Sequence, residues 1–189
     1  MQVAIYSRVI DFETRTEVQS LIDALNARNI EPVIFQPFFN QIKDHINLPD
    51  SCRVFHDFYD LDDEVDCLVS LGGDGTLLDT VALVRNKNIP VLGINFGRLG
   101  FLASMGKEFM LMAVDALVHR TYVIDRRTLI HLDANIPLFN DVPYALNEFS
   151  IHKRDIAPMI KIHTYLNGEF LNTYWADGLI VATPTGSTG

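Results

Sequence analysis

Residues 67–76, Cys67-Leu68-Val69-Ser70-Leu71-Gly72-Gly73-Asp74-Gly75-Thr76, decide the fold. The first five form a continuous run of the kind expected of a strand buried on both faces. Two glycines end the run, and the pattern changes there. From Thr76 to Val84 the apolar residues Leu77, Val81 and Val84 fall along one side of a helix. A second buried-type strand follows at Pro90-Val91-Leu92-Gly93-Ile94. Parallel neighbours need a crossover connection, so this strand–helix–strand order predicts a mainly parallel sheet covered by helices.

The same alternation extends toward the amino terminus. Val3-Ala4-Ile5-Tyr6 reads as a strand. Glu17 to Asn29 places Val18, Leu21, Ile22 and Leu25 at helical spacing, and Pro32-Val33-Ile34-Phe35 reads as another strand. Between Pro37 and Asp66 the pattern is weak, and the acidic run from Asp57 to Asp66 reads as a solvated face or loop. Toward the carboxyl terminus, Lys107 to Leu117 is helical, and then the texture changes. Tyr122–Leu132, Tyr144–Ile151, Met159–Leu166, Glu169–Trp175 and Leu179–Ala182 are all strand-like, with Asn167-Gly168 as a hairpin signal between two of them. The expected architecture is an α/β chain. A three-layer, Rossmann-like domain with a mainly parallel sheet spans residues 1–120, and a β-rich, largely antiparallel domain spans residues 121–189.

The 189 residues are 48 % hydrophobic and 21 % charged, a globular composition with enough apolar mass for a core. A formal net charge of −9 argues against nucleic-acid binding, because a phosphate backbone needs a basic face. It leaves small anionic ligands open, since local donors or a metal ion outweigh a distant field. There is no basic-then-apolar leader and no apolar stretch of membrane-spanning length. The two cysteines, Cys52 and Cys67, form no metal-type cluster. A cytoplasmic location with no membrane partner is expected. The final loop, Pro184 to Gly189, has nothing after it to support it, so the sequence reads as a fragment of a longer chain.

Several stretches could carry chemistry. In Gly72-Gly73-Asp74-Gly75-Thr76 the glycines permit close approach of a phosphate to the backbone, and the helix start supplies free N–H groups. An ordinary turn with a capping residue is the competing reading. A second glycine-punctuated turn, Gly93 to Leu102, ends the next strand, where ligands of open α/β sheets collect. Asn147-Glu148 interrupts an apolar strand, so one of the two polar groups can point inward. Ala176-Asp177-Gly178 precedes a strand, and Thr183, Thr185, Ser187 and Thr188 with Gly186 and Gly189 offer hydroxyls and amides. His152 and His163 lie on strands without a second ligand at metal spacing, so no metal-ligating side chains are assigned.

Together these motifs resemble one family, the NAD kinases. Leu71-Gly72-Gly73-Asp74-Gly75-Thr76, Gly93-Ile94-Asn95, Gly100-Phe101-Leu102, Asn147-Glu148, Ala176-Asp177-Gly178 and Thr183-Pro184-Thr185-Gly186-Ser187-Thr188 occur in family order. The resemblance implies phosphoryl transfer from ATP (polyphosphate in some members) to the adenosine ribose 2′-hydroxyl of NAD, giving NADP. It implies Asp74 as the catalytic carboxylate. Gly72, Gly73, Gly75, Thr76, Asn95, Phe101, Asn147, Glu148, Asp177, Thr185 and Thr188 follow as ligand-binding residues. Within that set Asn147 and Glu148 hold the adenosine part, Asp177 the far end of the dinucleotide, and Thr188 opens the adenine-side loop. A divalent ion, normally Mg²⁺, accompanies ATP, and the expected assembly is a homo-oligomer, dimer or tetramer. The sequence departs from the pattern at Trp175 and Pro158, where basic residues are common, with Lys153 and Arg154 as nearby substitutes. The first motif is shared with lipid and sugar kinases of the same superfamily, and a non-catalytic nucleotide-binding fragment is a further alternative.

Overall fold

A computed structural model of the chain describes residues 1–9, 14–136, 138–139, 142–154, 156 and 158–188. The chain divides into two compact units, Met1–Asp125 and Arg126–Gly189. In the first unit the order is β1 (Gln2–Tyr6), α1 (Arg15–Asn26), β2 (Glu31–Phe35), α2 (Gln36–Ile42), β3 (Arg53–Phe55), β4 (Val65–Leu71), α3 (Asp74–Val84), β5 (Val91–Asn95), β6 (Met105–Gly106) and α4 (Met110–His119). The six strands pair in the order β3-β2-β1-β4-β5-β6, and every pairing is parallel.

Alternation along the central strands makes two apolar layers. Val3 and Ile5 of β1 and Cys67, Val69 and Leu71 of β4 pack with α1, α2 and α4 through Leu21, Leu25, Phe38, Ile42, Val114 and Leu117. Their sequence neighbours Ala4, Tyr6 and Leu68 face the other way, onto Phe55, Leu61 and Leu83 of α3. Burial on both faces is why these strands carry continuous apolar runs. It also brings the carboxyl ends of β1, β4 and β5 to one rim, where both glycine turns lie.

The stretch of weak pattern that begins at Gln36 holds two elements. Helix α2 starts on Gln36-Pro37, and proline fits a first helical turn because its missing N–H has no partner there anyway. Strand β3 is only three residues long, an edge strand beside β2. The stretch Tyr122–Leu132 corrects the expectation in the other direction. Only β7 (Ile130–His131) is a strand there, paired antiparallel with β8 (Tyr144–Ala145). Residues 122–129 have suitable composition but no ladder neighbour among the described residues, and β propensity without a partner makes no strand.

In the second unit β9 (Glu148–His152) pairs with β12 (Gly178–Ala182), and β10 (Ile160–Leu166) pairs with β11 (Glu169–Ala176), all antiparallel. Asn167, at φ 54°, and Gly168, at φ 87°, form the tight turn between β10 and β11. The chain is thus an α/β unit with a parallel sheet followed by an antiparallel β-rich unit.

Candidate active site

Asp74 is the first residue of α3, and Gly73 caps the helix in an extended conformation. A carboxylate in a first helical turn lies at the positive end of the helix dipole. Gly72 adopts φ +149°, and a Cβ there would also collide with the Thr76 side chain. Its N–H donates to the Ile94 carbonyl at 2.9 Å, so the end of β4 is tied to the end of β5. Gly73 and Gly75 are exposed and Thr76 is half-buried.

The second glycine turn closes directly onto Asp74. The Phe101 N–H donates to Asp74 Oδ2 at 2.8 Å, while the Leu102 and Ala103 N–H groups donate to Oδ1 at 3.0 and 2.8 Å. Desolvation works to raise the Asp74 pKa. The donors from Ala103, Phe101 and Leu102 outweigh it and hold the carboxyl below the usual range. Gly100 is packed so closely that a Cβ would strike the Asp74 carboxylate.

Asn95 shapes the loop that supplies these donors. It is only 3 % exposed. Its Nδ2 donates to the carbonyls of Arg98 (2.5 Å) and Ala103 (3.3 Å), and its Oδ1 accepts the Gly97 N–H at 2.8 Å. Both polar atoms are therefore turned onto the loop. Phe101 is the reverse case, with its N–H on Asp74 although the residue is 93 % exposed.

A third group stands beside the first turn and was missed in the sequence. Arg8, just past β1, makes a two-nitrogen ion pair with the Asp79 carboxylate of α3, and the Tyr6 hydroxyl donates to Asp79 Oδ2 at 2.7 Å. Burial, then the hydrogen bond to the Asp79 carboxylate and its charge, push the Tyr6 hydroxyl up to about 12. Burial works to raise Asp79, but the Arg8 and Tyr6 donors hold it below the ordinary carboxylate range. The Arg8 guanidinium lies against Gly75, where a Cβ would be 3.4 Å from Nη1. The available signal was a lone acid among the apolar residues Leu77-Leu78 and Val81 of a helix, which needs a partner.

In the second unit the structure brings Asn147 and Glu148 to the loop that starts at Thr183. Ala182 is paired with Glu148, and the Thr183 N–H donates to the Asn147 carbonyl at 2.8 Å. The buried Thr183 hydroxyl donates to the Leu146 carbonyl at 2.5 Å and accepts the Gly186 N–H at 3.2 Å. Gly186 packs on the Asn147 backbone, where a Cβ would collide. Asn147 is half-buried, and Glu148 is exposed, so neither is a buried charge. Thr185 Oγ1 accepts from Arg127 Nη1 at 3.4 Å, Thr188 is exposed, and Gly189 lies outside the described residues. Asp177 stands at the opposite end of the β9/β12 ladder, six residues from Thr183, which is about 20 Å along an extended strand. His163 bonds Thr173 across β10 and β11.

Among the described residues no group of three or more histidine, cysteine or acidic side chains could hold a metal ion, and no helix is long and apolar enough to cross a membrane.

The chain is similar to known proteins over its whole length. Residues 12–122 match the family model described as ATP-NAD kinase N-terminal domain, and residues 146–189 match its C-terminal domain. All of the chain aligns with the NAD kinases of Flavobacterium psychrophilum at 41 % identity and Cytophaga hutchinsonii at 43 %, covering 65 % of each. The chain thus spans about 65 % of the length of the curated relatives it matches. A crystal structure of yeast NADH kinase complexed with NADH superposes with a TM-score of 0.78 at 25 % identity, over 99 % of this chain and 58 % of that one. An NAD kinase from Archaeoglobus fulgidus in complex with ATP superposes with a TM-score of 0.61 at 26 % identity, over 100 % of this chain and 63 % of that one.

Proposed function

The chain belongs to the NAD kinase family, and from that premise we propose that it carries the phosphoryl-transfer site of an NAD kinase. The reaction moves the terminal phosphoryl group of ATP to the adenosine ribose 2′-oxygen of NAD. The new O–P bond gives NADP, the bond to the bridging oxygen breaks to release ADP, and the hydroxyl proton leaves. Support comes from relatives that are NAD kinases, and from solved structures in which one relative holds NADH and another ATP.

The observation that carries the reading is the fixed carboxylate of Asp74, held by three backbone N–H groups at the rim where β4 and β5 end. Those donors make it a weak base, far too weak to deprotonate a ribose hydroxyl beforehand. What it does well is hold the hydroxyl in line and take the proton as the O–P bond forms. Phosphoryl transfer rests mainly on such positioning and on charge neutralisation. Gly72, Gly73, Gly75 and Thr76 supply the turn against which phosphate oxygens can lie. Asn95 and Phe101 work through the loop that fixes Asp74. Asn147 and Glu148 take the adenosine part, Thr185 and Thr188 the loop beside it, and Asp177 the far end.

Mg²⁺ is held through one or two carboxylates and phosphate oxygens rather than a protein cage. The residues fit that need, because Asp74 Oδ2 accepts only one N–H among the described bonds. Such an ion would neutralise phosphate charge in a protein whose own net charge is −9. A homo-oligomer is the family's form and is proposed with the rest.

The test is NADP formation from NAD and Mg-ATP by the complete reading frame that carries this chain, beside its Asp74→Asn variant. Turnover is expected in the parent, and a loss of at least about 10³-fold in the variant with NAD binding within a few-fold. A folded parent protein that makes no NADP overturns the reading.

A further inference from the structure

Lys153 and Asp177 are joined twice. The Lys153 N–H donates to the Asp177 carbonyl at 2.9 Å, one step beyond the His152–Gly178 rung of the β9/β12 ladder. Its ammonium Nζ also lies 2.8 Å from Asp177 Oδ1. The partners are unequally exposed, 26 % for the lysine side chain and 71 % for the aspartate. The cation is tucked behind an acid that faces outward. The strands approach closely at Gly178, where a Cβ would strike the Ile151 carbonyl. The strand leading into Asp177 offers no cation of its own at position 175. Trp175 stands there, with the Lys161 ammonium 5.6 Å from its ring centroid.

We propose that Lys153 is a positioning residue for the far end of the dinucleotide, acting through Asp177. It holds Oδ1 and cancels the aspartate's charge, leaving Oδ2 turned to uncharged donors such as ribose hydroxyls or a carboxamide. Without the lysine, the bare carboxylate would repel the anionic diphosphate of the same ligand within a Debye length of about 8–10 Å. The proposal rests on the NAD kinase reading above and adds a residue and a division of labour within the site.

The experiment is a double-mutant cycle in the complete reading frame, with steady-state kinetics against NAD and against ATP. Lys153→Met is expected to raise KM for NAD about fivefold, the fold-change an exposed ion pair supports, with kcat within twofold and KM for ATP unchanged. Lys153→Arg should restore the parent value. In an Asp177→Asn background the Lys153→Met effect should shrink to less than twofold, because no charge remains to cancel. Lys153→Gln serves as the second neutral variant, and thermal melting checks that all variants fold. An unchanged KM for NAD in Lys153→Met overturns the proposal. So does an undiminished effect in the Asp177→Asn background, which would mean that the lysine meets the ligand directly. A parent protein without NADP formation overturns the kinase reading and this inference together, whereas an active parent isolates the failure to Lys153.

Discussion

The Ala103 N–H lies 2.8 Å from Asp74 Oδ1, a bond between residues 29 positions apart that locks the second glycine turn onto the first. With the Phe101 and Leu102 donors it turns a flexible acid at a helix start into a fixed one. The carboxylate is therefore arranged before any ligand arrives, which is the condition for orienting a hydroxyl without further reorganisation.

Gly100→Ala tests that arrangement without touching Asp74 itself. Gly100 does not have the positive φ that would strain alanine, so the clash with the carboxylate is the specific consequence. The Cβ would lie well inside contact distance of Asp74 Oδ1, so the turn or the acid must move by about 1 Å. Expected are an overpacking cost of about 1–3 kcal/mol and a loss in kcat on the order of 10²-fold in a protein that still folds. Thermal melting and NADP formation measure the two. Unaltered kcat would show that the position of Asp74 is not critical.

Asn95→Ala removes the loop's internal brace. The Arg98 and Ala103 carbonyls and the Gly97 N–H lose their partner in a site where Asn95 is 3 % exposed. Leaving buried polar groups unmet costs about 1–3 kcal/mol. Asn95→Asp should be no milder, because it sets a carboxylate oxygen against two carbonyls. Melting temperature should fall in both variants, and NADP formation should fall with it. If Asn95→Ala melts like the parent, the amide contacts are not what holds the loop.

The parts of the fold that were legible in the sequence are those written locally. The run Cys67 to Leu71 reports its own burial, and Gly72-Gly73 reports the turn at its end. Asn167-Gly168 likewise announces a hairpin. Residues whose work depends on partners far along the chain were not legible in role. Arg8 and Asp79 are 71 positions apart, and neither carries a motif. Asn95 was found as part of a pattern, but its duty as a brace is set by carbonyls 3 and 8 residues on. Residues 122–129 are the opposite case, since their composition suits a strand and no strand among the described residues pairs with them.

The Tyr6–Asp79–Arg8 group predicts how stability changes at both ends of the pH scale. Tyr6 titrates higher folded than unfolded, from 10.0 to about 12. Its contribution is present below pH 10 and is lost as pH rises from about 10 to 12. Asp79 titrates lower when folded, so its contribution is present above the ordinary carboxylate range and is lost as pH falls through and below it. Melting temperature against pH should fall at both ends. Tyr6→Phe should flatten the alkaline limb and Asp79→Asn the acid one. If Tyr6→Phe leaves the alkaline limb as steep as in the parent, the hydroxyl is not its source.

Glu148→Gln separates the adenosine-binding role from a structural one. Glu148 is exposed and its backbone is paired with Ala182 at the head of the Thr183 loop, so the substitution leaves both the ladder and the core intact. Folding and melting temperature should therefore stay near those of the parent. The glutamine still offers a carbonyl oxygen to the ribose hydroxyls, so only the charge-assisted part of the bond is lost, about 1–1.5 kcal/mol or roughly 5- to 10-fold in affinity. The loss should fall on NAD and spare ATP if, as proposed above, the second unit takes the dinucleotide and the Gly72–Thr76 turn the phosphoryl donor. Titration calorimetry with each nucleotide separates these effects. Equal weakening of both would remove Glu148 from the adenosine subsite, and a large drop in melting temperature would return it to the architecture of the β9/β12 pair.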